Sequence, residues 1–262
     1  MEYGRKRMKK VFVCDDTITG IYSGIYDAWK LALQEEQVGI AIRGMIEQEL
    51  FCDYVEVIQS EKKAIAVEKM IQKHLGDEAY YNLYLSLLSH DEKKADAVLG
   101  TMLEARKIPN SKKIMNHLAS PNVQKVFQLS RMVGNEVHYH REFLRFRELE
   151  NGVLFAKMNP KNRVLTCIAD HFENRLPLEN WLVYDETHKM VLVHEAKKQW
   201  VILVDTEMDS EKIKNYSRTE KMFEELWQGF CKTISIKERE NKELQRQHLP
   251  LWYRSNMVEF TK

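Results

Sequence analysis

The chain has 262 residues, 44% hydrophobic and 30% charged, with 40 Lys+Arg against 39 Asp+Glu. That is enough apolar material for one large or two small cores, and it excludes a disordered chain. A net charge of +1 excludes any function that rests on bulk charge, such as a basic DNA coat or an acidic tail, but not one that rests on a local basic face. No apolar run approaches the roughly 18–20 residues of a membrane span. The basic start MEYGRKRMKK leads into VFVCDD, not into a signal-peptide apolar region. The four cysteines (Cys14, Cys52, Cys167, Cys231) form no C-x-x-C, so a disulfide framework, a thiolate zinc site and an own iron–sulfur cluster are not expected. The expected setting is a reducing cytoplasm.

In chain order, Val11–Cys14 reads as a buried strand. An Asp/Thr-rich turn follows, then a helix with Ile21, Ile25 and Trp29 on one face. Residues 54–60 (YVEVIQS) alternate as a second strand, and Glu61–Leu75 forms a helix stopped by Gly76. A helical block comes next, with Asp77 and Asp91 as caps and a break at Lys107-Ile-Pro-Asn. Ser120-Pro121 opens a further helix that runs toward His138. The period then changes: FLRFREL, Asn151-Gly152 and VLFAKM make a hairpin signal. A helix over 162–174 and strands at 181–184, 190–194 and 200–204 complete a ββαβββ module with an antiparallel sheet. Helices around Thr219–Lys232 and from the capping-box pattern Ser235-Ile-Lys-Glu238 close the chain. The expected class is α+β, with a first domain over 1–106 and a second over 107–262.

Charge is unevenly spread. Residues 1–106 carry 14 basic and 18 acidic side chains, 107–147 carry 8 and 2, and 148–262 carry 18 and 19. The middle stretch, at +6, is a candidate phosphate-binding surface or a solvated helix face. It ends in EVHYHREFLRFREL. In a strand, Arg145 and Arg147 share the face opposite Leu144 and Phe146. With His138, His140 and Arg141 beside them they suit phosphate binding, or else salt bridges to Glu142 and Glu148. The H-x-H pair is a weak metal signal, because only Glu136 and Glu142 lie nearby. The turn Asp15-Asp16-Thr17-Ile18-Thr19-Gly20 lacks both G-x-G-x-x-G and G-x-x-x-x-G-K-[ST], so it reads as a polar helix-capping turn or, less well, a metal turn. At the far end, LQRQHLPLWYR interleaves Arg246, His248, Trp252, Tyr253 and Arg254, a composition suited to single-strand or flipped-base contact and equally to an amphipathic helix end.

Three blocks together carry a resemblance. CDDTITGIYSGIYDAW, then EVHYHREFLRFREL with DHFENR and WLVYDETHKMVLVH, then LWQGFCKTISIKERENKELQRQHLPLWY are similar, in order, to the motifs of a family of DNA-repair or DNA-metabolism proteins of unknown function. Members are encoded beside a radical-SAM DNA-modification or repair protein, and some are fused to an iron–sulfur uracil-DNA glycosylase domain. The resemblance implies a DNA-contacting partner of a radical-SAM enzyme that holds no cofactor itself and leaves the iron–sulfur cluster and SAM to the partner. The sequence ends at Lys262, just past the shared block, so glycosylase activity is not expected. The matched polar positions are Asp15, Gly20, His140 or His138, Arg145, His171, Arg175, Asp185, Arg239, Asn241, Gln245 and Pro250. Asp16, Lys242, Glu243, Leu251 and Trp252 depart from the pattern, which weakens a phosphate grip by the C-terminal block.

The expected nucleic-acid contacts are therefore His140, Arg141, Arg145, Arg147, His171, Arg175, Arg246 and His248. Two other readings stay open. One is a nucleotide- or nucleobase-processing enzyme with His140, His171 or Asp185 as acid–base groups. The other is an interaction scaffold in which the arginines serve internal salt bridges.

Overall fold

A computed structural model describes residues 8–34, 37–46, 50–208 and 215–260. The basic start up to residue 7 and Lys262 lie outside them. The class is α+β, and the contacts divide the chain into two compact units, residues 1–134 and 135–262.

In the first unit β1 (Lys9–Cys14) is the centre of a three-stranded parallel sheet, between β2 (Val38–Ile42) and β3 (Cys52–Glu56). Val13 sits level with Ala41 on one side and Glu56 on the other. Residues Val11–Cys14 are all buried, as a central strand covered on both faces requires. Helix α1 (Ile18–Leu33) starts at Thr17, whose hydroxyl accepts a hydrogen bond from the Gly20 amide at 2.9 Å. Helix α2 (Glu61–Leu87) is bent at Gly76, where φ is +81° and only glycine is unstrained. The expected stop is thus a kink after which the helix resumes at once. Before α3 (Lys94–Ala105), Asp91 accepts from the Lys93 amide at 2.9 Å. A 3₁₀ turn (Ser111–Asn116) leads to α4 (Pro121–Phe143).

One expectation is corrected here. The opening is strand–helix–strand–strand–helix, because VGIAI (Val38–Ile42) is a short strand beside β1 with no polar–apolar alternation to betray it. The acidic turn after β1 is held by cations of its own unit. Arg43 binds Asp15 at 2.8 Å and Glu56 at 2.7 Å, and the buried Lys94 ammonium binds Asp16 at 2.6 Å.

The second unit is built on a five-stranded sheet in the order β4 (Arg147–Glu148), β5 (Leu154–Met158), β6 (Trp181–Asp185), β7 (Met190–His194), β8 (Val201–Leu203). The β4–β5 hairpin turns at Asn151-Gly152, with Gly152 at φ +78°. The order ββαβββ is as expected, but the sheet is mixed. β5 and β6 run parallel, since α5 (Leu165–Arg175) is the crossover that a parallel pair needs. Phe146, Phe172 and Trp181 meet edge to face, with ring centroids 5.1–6.4 Å apart, and Trp181 is fully buried.

Helices α6 (Arg218–Ile234) and α7 (Lys242–His248) follow. The Ser235 capping box does not form. Residues 237–239 make a 3₁₀ turn, and α7 starts at Asn241, whose side chain accepts from the Leu244 amide at 3.0 Å. Helix α6 turns its polar side inward. Glu220 accepts from the Glu148 amide, Glu224 pairs with Arg147, and Gln228 donates to the Val258 carbonyl. Its apolar side chains Phe223, Leu226, Trp227, Phe230 and Ile234 are exposed.

Candidate nucleic-acid interface

The geometry of the candidate residues follows from where α4 ends. The helix continues to Phe143, so the expected strand shrinks to Arg147–Glu148 and residues 144–146 are an extended link. Arg145 is therefore not in a strand, and the expected shared sheet face for the two arginines does not exist. Arg145 pairs with Glu259 at 3.0 Å. Arg147 pairs with Glu224 and lies over the Tyr216 ring, 3.4 Å from its centroid.

Being helical also separates the H-x-H pair. Residues two apart on a helix point about 200° apart. His138 is exposed and 3.0 Å from Glu142. His140 is only 5% exposed, edge-on to Tyr253 at 5.1 Å, and its Nε2 has no hydrogen-bond partner among the described residues. Burial pushes its pKa down to about 4.

The rest of the chemistry gathers in one cleft of about 740 Å³ in the second unit. Arg141 enters it from α4, and one of its terminal nitrogens donates to the Cys167 carbonyl. From α5 come His171 and Arg175, one turn apart, and from the link come Leu144, Arg145 and Phe146. His138 and Glu142 stand at its edge with the apolar Leu154, Phe172 and Leu176. The His171 pKa is held below its ordinary value, first by burial and then by the charges of Arg141 and Arg175. Its Nε2 is buried without a hydrogen-bond partner. Among the described residues Arg175 makes no hydrogen bond or ion pair, and Arg141 faces no carboxylate within ion-pair distance. The cleft thus holds two cations without an ion-pair partner among the described residues, an imidazole that feels both, and an aromatic wall. Such a set can bind a phosphate and stack a base.

Four of the eight expected contacts, Arg141, Arg145, His171 and Arg175, line this cleft. His140 lines a separate void of about 20 Å³ with Lys157 and Tyr253. His248 lies at another hollow, with Arg239 and Gln245, and Arg246 is exposed on α7. Asp185 is fully buried under His188, which it binds at 2.7 Å, and it also accepts from the His188 amide. It serves the β6–β7 turn. His140 and His171 thus line different cavities, and Asp185 lines neither of them. The sequence reading missed Phe172 as part of a wall and Glu259 as the counter-charge of Arg145. The latter is 114 residues away, and no local signal links the two.

Among the described residues no helix is long and apolar enough to cross a membrane. Residues 92–259 match the family described as a domain of unknown function, DUF4130. None of the curated proteins matches the chain.

Proposed function

The chain belongs to the DUF4130 family, and we propose that it is a DNA-metabolism protein whose second unit contacts DNA through the cleft around Arg141, His171 and Arg175. One observation carries this reading: two arginines with no ion-pair partner among the described residues converge with an imidazole on a cleft that has an aromatic wall. In a surface built only for internal salt bridges they would be paired, as Arg145 and Arg147 are. We further propose that the protein acts in the cytoplasm beside a radical-SAM enzyme, which supplies the iron–sulfur and SAM chemistry. The four free cysteines suit a reducing compartment, and the outward apolar stripe of α6 suits a protein partner. The alternative of a nucleotide- or nucleobase-processing enzyme, with His140, His171 or Asp185 as acid–base groups, is weakened because His140 and His171 line different cavities and Asp185 is fully buried.

The test is a salt titration of single-stranded DNA binding. Arg141→Ala/Arg175→Ala lowers affinity and flattens the slope of log affinity against log salt by about 1.4, two neutralised phosphate charges at roughly 0.7 each. Arg147→Ala leaves the slope alone. An unchanged slope in the double variant removes the cleft from the reading. Failure of the radical-SAM protein to co-purify, with and without DNA, removes the partner.

A further inference from the structure

We propose that the cleft is a receptor for the end of a nucleic-acid strand: a terminal phosphomonoester seated between Arg141 and Arg175 beside His171, with the terminal base against Phe146. This rests on the DNA-contact reading above and specifies which part of DNA the cleft takes.

Charge and oxygen count favour a chain end over a mid-chain phosphate. Of the groups facing the site, Arg145 is neutralised by Glu259 and His138 is within 3.0 Å of Glu142. Glu142, which also lines the cleft, adds one negative charge beside His138, and Arg141 on α4 and Arg175 on α5 are the cations with no carboxylate within ion-pair distance among the described residues. A phosphodiester carries one negative charge, whereas a phosphomonoester carries about −1.5 to −2 at neutral pH. The monoester offers each arginine a negative charge and presents three non-bridging oxygens, where a diester has one charge and two such oxygens to share between them. The hydrogen bond from Arg141 to the Cys167 carbonyl fixes one edge of that guanidinium without cancelling its charge, which leaves its other donors for the phosphate.

His171 supplies the second argument. A buried ring nitrogen without a partner is costly, and a phosphate oxygen satisfies it. A dianion held by both arginines offsets the two charges that, after burial, hold the His171 pKa down, and so shifts the ring toward its protonated form.

Shape supplies the third. The space, about 740 Å³, falls in the range of pockets for single small ligands and suits one or two nucleotides, not a track along a backbone. Phe146 is only partly buried, and its ring is braced against Phe172 and Trp181. It is a rigid face on which one base can stack.

The experiment is fluorescence anisotropy of the full chain with a labelled ten-nucleotide thymidine strand carrying a 5′-phosphate, a 3′-phosphate or hydroxyls at both ends, with thymidine monophosphate as competitor. Strands with a terminal phosphate bind about tenfold more tightly than the hydroxyl strand, the margin of one charge-assisted contact set, and the preferred end identifies the source. Competition by the free mononucleotide at equal concentration assigns the site to nucleotides as well as strands. Arg175→Ala abolishes the preference, and since Arg175 is exposed and unbonded its thermal melting stays put; Arg175→Lys restores part of it. In NMR titrations the His171 ring pKa rises when the phosphorylated strand is added and does not move with the hydroxyl strand. Equal binding of all three strands, still weakened by Arg175→Ala, overturns the strand-end inference and leaves DNA contact standing. Binding of none of them overturns both.

Discussion

His140 gives the most quantitative test of the second unit. Its ring is 5% exposed, with an unpartnered Nε2 and a pKa pushed down to about 4 by burial. The charged side chains around its void are Arg145 and Lys157, each already paired with a carboxylate (Glu259 and Glu186). Protonating His140 would add a cation with nothing to receive it. In the unfolded chain the ring titrates near its ordinary value of about 6.5. Between these two values the unfolded state binds more protons, so stability is full above about pH 6.5 and falls as the pH is lowered toward 4. Linkage over that window gives a loss of about 2 kcal/mol at pH 5 and about 3 kcal/mol at pH 4 from this residue alone. His140→Phe keeps a ring against Tyr253 and cannot titrate. Urea unfolding of both proteins at pH 7.5 and pH 5, followed by tryptophan fluorescence, isolates the contribution; four of the five tryptophans lie in the second unit. Wild type should lose about 2 kcal/mol more than the variant on acidification. Parallel losses in the two proteins would refute the assignment of His140 as a buried neutral ring.

Three further outcomes are expected. Glu259→Gln releases Arg145 into the cleft, so single-strand affinity at low salt rises and the salt slope steepens by about 0.7; an unchanged slope means that Arg145 does not reach the strand. In the first unit Asp16→Ala takes a carboxylate from Lys94, which is only 1% exposed, and costs about 3 kcal/mol, whereas Lys94→Met costs far less because Asp16 keeps some contact with water. Chemical denaturation that ranks them the other way sinks that argument. Gly20→Ala puts a Cβ 2.6 Å from the Asp15 carbonyl oxygen and should cost about 1–3 kcal/mol, read as a lower melting temperature.

Local signals were legible and long-range ones were not. Thr17 ahead of α1, the glycine at 76 and Asn151-Gly152 each act within a few residues, so their turn chemistry shows in the sequence and appears in the fold. The parallel pairing of β5 with β6 depends on how α5 packs back, and nothing in the alternation of LFAKM distinguishes it from an antiparallel partner. The extent of α4 mattered most for the site. Phe143 stays helical, and that one boundary takes Arg145 out of the strand and separates His138 from His140. Helix ends are where periodicity is weakest, so the boundary could not be read from spacing.

The same point explains why a charge count along the chain overstates the basic surface it marks. Residues 107–147 sum to +6, but Lys107 pairs with Glu104, Lys125 with Asp91, Arg145 with Glu259 and Arg147 with Glu224. Two of those carboxylates come from far outside the segment, so a window along the chain counts the cations and misses what cancels them. Arg175 lies outside the window altogether, yet it stands one helical turn from His171 and makes no ion pair among the described residues. What makes a basic residue available to a phosphate is the absence of a carboxylate in space. On that criterion Arg141 and Arg175, not Arg145 and Arg147, are the arginines on which DNA contact by this protein stands or falls.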